Sequence, residues 1–186
     1  MMIQKMNEGV AMEEMNTINR LSLEGSADIS LNARQYLTFH IGNEIYGVEV
    51  NNVREVIEYE HVYKIPTVPS FIRGVINLRG EVVPVVDLSS RFYKRASDIT
   101  KLSCIVIVEV EDRDDTIMLG FVIDSINAVI DIPEEKIETT PGFGARIRTE
   151  FISGIGKIDS NFIILLNMHK VLDISELSNF GYNLME

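Results

Sequence analysis

The stretch Phe71-Ile72-Arg73-Gly74-Val75-Ile76-Asn77-Leu78-Arg79-Gly80-Glu81-Val82-Val83-Pro84-Val85-Val86-Asp87-Leu88 returns later in the chain, without a gap, as Phe151-Ile152-Ser153-Gly154-Ile155 and onward to Met168. Gly74 falls on Gly154, and the apolar run that ends one copy falls on its counterpart in the other. A block upstream behaves in the same way. Tyr46 through Glu58 aligns with Leu119 through Asp131, with Gly47 on Gly120 and Val56-Ile57 on Val129-Ile130. Either block alone is weak evidence, because strands rich in Val and Ile resemble one another by chance. Two blocks in the same order with matched glycines point to a duplication, with a unit of about 70 to 80 residues and therefore two like subdomains.

Each unit reads as strand, turn, strand, short helix, loop and hairpin. Period-two apolar spacing begins near Arg34, and Gly42-Asn43 between two such runs is a hairpin signal. Asn51 or Asn52 is placed to cap a helical turn carrying Val53, Val56 and Ile57, and Asp124 or Ser125 one carrying Ile126, Val129 and Ile130. Pro66 and Pro69 end the first helix-loop region, and Pro133 and Pro141 bound the second. The runs Glu81 to Leu88 and Phe162 to Leu166 are nearly all apolar, as in strands covered on both faces. A mainly β chain of this kind avoids open sheet edges by closing into small barrels, so two β-barrels packed together, with short helices, are expected.

Composition agrees. Val and Ile together number 43 against 13 Leu and no Trp, and β-branched side chains suit a pleated surface. The balance of 17 Lys and Arg against 28 Asp and Glu, net −11 over 186 residues, offers no basic run to displace counterions from phosphates, so nucleic acid is not an expected partner. A single Cys leaves no intrachain disulfide and no cysteine-built zinc site. With no targeting signal and no 18-residue apolar run, a cytoplasmic protein without membrane insertion is expected. Residues 1–33 read as a flexible leader, with five Met in the first fifteen positions and Ile3, Met6 and Val10 at helical spacing; a partner-docking helix is the alternative.

No catalytic constellation stands out. His40, His61 and His169 have no partner at ligand or relay spacing, and they read as a strand, a loop and a helical-turn residue. Cys104 lies in an apolar run without neighbouring positive charge, which suits a small strand residue better than a nucleophile. The acidic turn around Glu109, Glu111, Asp112, Asp114 and Asp115 lacks the Gly and distal Glu of a calcium loop, so it reads as a solvated hairpin tip. Gly142-Phe143-Gly144 has no phosphate-loop Lys or Ser after it. No metal or cofactor is expected. Two binding candidates remain: Arg79, projecting from a tight turn beside Gly80, and Phe143, held between glycines with little local structure to bury it.

Gly74 to Leu88, as G-V-x-N-L-R-G-x-x-x-P-V-x-D-L, closely resembles the signature segment of the CheW family of bacterial chemotaxis coupling proteins. The resemblance continues through Tyr46-Gly47-Val48, Val53 to Ile57, Gly120-Phe121-Val122-Ile123-Asp124 and Thr149 to Gly156, spanning about Arg34 to Leu172. It implies a fold of two five-stranded barrels like those of Src-homology-3 domains, here two intertwined subdomains of roughly 34–100 and 101–172. A tail, 173–186, with capacity for helix follows. It also implies a non-enzymatic adaptor that couples the cytoplasmic tip of a chemoreceptor (a methyl-accepting chemotaxis protein) to the regulatory domain of the histidine kinase CheA, recruited from the cytoplasm to membrane-associated arrays. Carried over position by position, Glu55, Val56, Arg79 and the strand beginning at Cys104 fall where the family contacts receptor, in the groove between the barrels. Leu37, Val50 and Val53 fall at the kinase contact, and Phe143 at a second kinase contact that closes rings in arrays. Cys104 stands where an aliphatic residue is expected. Relatives with an added receiver or kinase domain are larger than 186 residues allow, so a stand-alone coupling protein is expected. The rival from another class is a small-barrel ligand binder or enzyme with a metabolite in the inter-barrel groove; it needs convergent polar residues that the sequence does not display.

Overall fold

A computed structural model of the chain describes residues 32–112, 115–139 and 147–172. The leader up to residue 31, the tail from 173, the tip of the acidic hairpin and the segment around Pro141 and Gly142-Phe143-Gly144 lie outside the described residues. The chain forms β1 (Ala33–Ile41), β2 (Glu44–Glu49), β3 (Val53–Glu58), β4 (Ile72–Leu78), β5 (Glu81–Asp87) and helix α1 (Leu88–Tyr93). It continues through β6 (Cys104–Asp112), β7 (Asp115–Ile123), β8 (Ser125–Pro133), β9 (Ile137–Glu138), β10 (Ile152–Ile158), β11 (Asn161–Leu166) and helix α2 (Met168–Val171). The strands make two sheets, in the orders β8-β1-β2-β11-β10-β9 and β3-β6-β7-β5-β4.

The duplication is written into those two orders. The repeat alignment equates β2 with β7, β3 with β8, β4 with β10 and β5 with β11, and the opening hairpin strand β1 corresponds to β6. Under that equivalence the second sheet, 3-6-7-5-4, maps strand for strand onto 8-1-2-11-10 of the first, which adds only the two-residue β9 at its end. Each unit therefore places its opening hairpin in the sheet built from the other unit's later strands. The junctions are two parallel pairings, β2 with β11 (Leu165 opposite Gly47) and β5 with β7 (Val85 opposite Gly120), again equivalent positions. Division of the subdomains near residue 100 thus separates the repeats but not the sheets. One sheet takes β1–β2 together with β8 to β11, and the other takes residues 53–123.

Both sheets roll up. β8 and β9, the ends of the first, are separated only by a 3-10 turn, Glu134–Lys136. Four peptide steps reach at most about 14 Å, whereas five flat strand spacings would part the ends by about 24 Å. In the second sheet Tyr63 exchanges two backbone hydrogen bonds with Val75 of β4, at 2.8 and 2.9 Å, only a few residues after β3 ends. Pro84 lies opposite Val75, whose N–H and C=O both go to Tyr63, so the missing proline N–H removes no bond from the β4–β5 ladder.

Equivalent positions share their local physics. Arg79 and Asp159 both take φ 52 at the tips of the β4–β5 and β10–β11 hairpins. Asp87 and Asn167 cap the two helices, accepting from the N–H of Ser90 and of Lys170. Gly74 and Gly154 sit at matched register shifts. A Cβ on Gly74, whose φ is +146, would lie 2.1 Å from the Tyr63 carbonyl oxygen, and one on Gly154 would lie 2.6 Å from Ile137. One expectation is overturned twice. Val53 to Ile57 and Ile126 to Ile130 are strands, not helices, and the only helical backbone at the first site is a single 3-10 turn, Val50–Asn52. The i, i+3, i+4 spacing of Val and Ile fits either period over so few residues. Here β-branched stiffness and pairing with β6 decide the outcome.

Between the sheets runs a line of aromatic side chains. Phe39 of β1 meets Phe121 of β7 with ring centroids 5.5 Å apart, Tyr46 of β2 meets Phe92 of α1 at 5.4 Å, and Phe92 meets Phe151 at 5.9 Å. Phe39, Tyr46 and Phe121 have no exposed surface, and full burial of each such ring stabilises by roughly 1.5 to 3 kcal/mol. Arg91 of α1 lies over Phe71 at 4.1 Å and over its repeat counterpart Phe151 at 5.1 Å, and its Nε donates to the Val171 carbonyl at 3.2 Å. Not every residue of the apolar runs is covered: Val82 and its equivalent Phe162, near the hairpin tips, are more than half exposed.

The two glycines Gly74 and Gly42 separate crowding from backbone strain. Gly42 has φ +60 with nothing within 4 Å of an added Cβ, whereas Gly74 combines positive φ with the Tyr63 backbone. Gly42→Ala is expected to lower unfolding free energy by about 1 kcal/mol, and Gly74→Ala by about 3 kcal/mol or more because strain and overpacking add. Urea denaturation of the two variants checks the order; equal losses would show that the Tyr63 segment yields to the added methyl group.

Candidate functional site

Arg79 owes its position to backbone geometry. The Asn77 side chain accepts the Gly80 N–H at 2.8 Å and tightens the β4–β5 turn, leaving Arg79 in the left-handed region. From there the guanidinium donates to both carboxylate oxygens of Glu55 on β3, at 2.8 Å each. The pair spans from one end strand of the second sheet to the turn leading out of the other end strand, across the line where that sheet closes. Glu55 is mostly covered at 16% side-chain exposure, and Arg79 stands out at 75%. Exposed ion pairs contribute less than about 1 kcal/mol to stability, so the consequence is orientation: a two-point grip holds the exposed Arg79 guanidinium in one pose.

Around it lies a shallow depression with Leu78 and Met118 among its lining residues and charged groups from Arg54, Glu81 and Glu109. Arg54 reaches Glu109 at 3.3 Å. A depression lined mostly by charged groups of both signs, with two apolar side chains among them, suits another protein surface more than a small substrate, because nothing among its lining residues pairs a nucleophile with a base. Among the described residues no group of three or more His, Cys, Asp or Glu is placed to hold a metal ion.

The other receptor candidates are unequal. Cys104 opens β6 opposite Glu58, half-buried, with its Sγ donating to the Leu102 carbonyl at 3.5 Å. Val56 is 5% exposed: the pleat that turns Glu55 outward turns Val56 into the core, so its side chain forms no part of the surface. Leu37 meets the same correction at the kinase candidates, with 1% exposure in the middle of β1. Val50, in the 3-10 turn, and Val53, at the start of β3, are half-buried and adjoin the point where the chain passes between sheets. Phe143 lies outside the described residues. Leu102 and Ile99, just before β6, are apolar side chains exposed at 66% and 37%. Isolated apolar residues in a loop carry no periodic signal by which to single them out.

Behind the exposed pair is a covered one. Asp87, 2% exposed, accepts from Arg73 Nη1 at 2.7 Å, from Ser97 N and Oγ at 2.9 and 2.8 Å, and from Ser90 N at 3.1 Å. Arg73 Nε donates to the Tyr59 hydroxyl at 2.9 Å. Burial by itself lowers the affinity of the Arg73 guanidinium for its proton, but the hydrogen bonds to Tyr59 and Asp87 outweigh it and hold the pKa above the ordinary arginine value. The network ties β4, β5 and the segment after α1 together, which fixes the base of the hairpin whose tip carries Arg79. It serves support rather than recognition.

Comparison with known proteins agrees with this architecture. The family model described as CheW-like domain matches residues 35–176. The chain is 33% identical over 151 residues to the chemotaxis protein CheW of Treponema pallidum, covering 79% of this chain and 86% of that one. It is 30% identical over 145 residues to the chemotaxis protein CheW of Klebsiella aerogenes, covering 78% and 85%. Among solved structures, the scaffolding protein TtCheW from Thermoanaerobacter tengcongensis is similar with TM-score 0.69 and 34% identity, covering 80% of this chain and 93% of that one. Among the described residues no helix is long and apolar enough to cross a membrane. Two rolled sheets with exchanged hairpins, a signature turn that presents Arg79, and a family match over most of the sequence lead to one assignment: the chain belongs to the CheW-like domain family.

Proposed function

We propose that this chain is a non-enzymatic chemotaxis scaffold that couples the cytoplasmic tip of a chemoreceptor to the regulatory domain of the histidine kinase CheA, working in the cytoplasm at receptor arrays. The observation that carries this reading is the Arg79–Glu55 grip: an exposed, oriented guanidinium at the edge of a partly apolar depression, on a chain of the CheW-like family. A receptor tip made of helices offers carboxylates and backbone carbonyls to such a group and apolar side chains to its surroundings. Glu55, Arg79 and Cys104 make the receptor-facing set, with Val56 packed behind them. Val50 and Val53 face the kinase domain with Leu37 as their buried backing, and Phe143 makes the second kinase contact that joins complexes into rings.

Arg79→Ala is expected to leave the melting temperature nearly unchanged while weakening binding of a soluble receptor-tip fragment by about 1 to 3 kcal/mol, as read by titration calorimetry. Undiminished affinity would remove Arg79 from the receptor contact. Phe143→Ala is expected to preserve one-to-one binding to the kinase regulatory domain and to reduce assembly of larger rings; electron cryotomography that finds normal array packing with this variant would contradict that role.

A further inference from the structure

The exchange of hairpins between units leaves β1–β2 with a particular freedom. Its sheet neighbours, β8 and β11, all come from the far half of the chain, and it joins β3 only through Val50–Asn52. That link is a lone 3-10 turn without a side-chain cap at its start. The repeat supplies a second copy of the same link in a different form. Val50-Asn51-Asn52-Val53 aligns with Ile123-Asp124-Ser125-Ile126, where β7 ends at Ile123 and β8 begins at Ser125 with a single bent residue between them. The crossing between sheets is thus made once with a three-residue 3-10 turn and once with nearly continuous strand. Val50 and Val53 are β-branched and suited to the extended form.

We propose that Val50–Asn52 is a hinge across which the β1–β2 hairpin passes to a second copy of this chain. The product is a dimer in which each first sheet is completed by its partner's hairpin. Every contact that the hairpin makes with the rest of its sheet is re-formed between chains: the parallel pairing of Gly47 with Leu165, the Thr38 hydroxyl donating to the Ala128 carbonyl at 2.8 Å, and the Gly42 N–H donating to Asp124 at 2.7 Å. The two forms differ in the hinge and in tethering. A hairpin tethered to its own sheet has an effective concentration in the millimolar range, so the monomer dominates in dilute solution and the dimer appears as chain concentration approaches about a millimolar. The proposal goes beyond the scaffold reading and does not depend on it. In the dimer Val50 and Val53 lie on the linking strand itself, so the surface assigned to the kinase is reshaped while that around Arg79, which belongs wholly to the second sheet, is kept.

The test uses full-length chains in a Cys104→Ser background. Gln35 of β1 and Asp131 of the adjacent strand β8 meet by their side chains, with Gln35 Nε2 donating to Asp131 Oδ1 at 3.3 Å, so cysteines are introduced at these two positions. One chain carries Gln35→Cys and the other Asp131→Cys. They are mixed, refolded together at high concentration and oxidised. Exchange predicts a disulfide-linked pair of unlike chains on a non-reducing gel, and a dimer mass by light scattering. The doubly substituted chain at low concentration predicts an internal disulfide in a monomer, which verifies the geometry independently. Asn51→Val with Asn52→Val, which favours the straight hinge, is expected to raise the dimer share several-fold. Refolding that yields only monomer, a dimer without the cross-chain bond, or a dimer share indifferent to the hinge variant would overturn the proposal.

Discussion

The two parallel pairings, β2 with β11 and β5 with β7, are the constraint on which the rest of the molecule depends. Each joins a strand of one repeat to a strand of the other, with a glycine at the crossing. A Cβ on Gly47 would meet Leu165 across the β2–β11 pairing at 3.0 Å, whereas one on Gly120 would crowd Ile105 of the neighbouring β6 at 2.9 Å and reach Val85 across the β5–β7 pairing only at 3.5 Å. Because neither repeat supplies all the strands of a sheet, neither sheet closes until both repeats are present. The aromatic line from Phe39 to Phe151 and the Arg91 guanidinium over Phe71 and Phe151 then fill the space between sheets. What this frame leaves outside includes the β4–β5 hairpin tip and the 3-10 crossing.

Charge has different duties at different depths. At Asp87 four donors converge on a carboxylate with almost no solvent contact, and loss of a partner there strands a charge in the interior at a cost of several kcal/mol. At Arg79 water competes for the same kind of pair, so the energy is small and the geometry is what remains useful. That contrast explains why one arginine of the signature hairpin, Arg73, belongs to the architecture and another, Arg79, is available to a partner.

Much of the fold was legible in the residues. Matched glycines and two ordered blocks revealed the duplication, Gly42-Asn43 gave the first hairpin, and the signature turn gave Arg79 an exposed place. Sequence order did not disclose the exchange of hairpins, because pairing between distant strands leaves no local periodic trace. Val53, Val56 and Ile57 misled for a related reason: three apolar residues in five positions satisfy a helix and a strand equally, and the partner strand β6 decided between them. The site was half legible. Glu55 and Arg79 meet as a pair with nothing in their spacing to announce it. Val56 and Leu37, contact positions by the family resemblance, have buried side chains in the structure. A one-residue step along a pleated strand separates surface from interior.

Bridging is checked by immobilising the kinase regulatory domain and measuring retention of a soluble receptor-tip fragment with and without this chain. The tip fragment is expected to be held only when the chain is present, at a stoichiometry that rises with the amount of chain bound. Binding of either partner only at the expense of the other, or no retention of the tip at saturating chain, would contradict it.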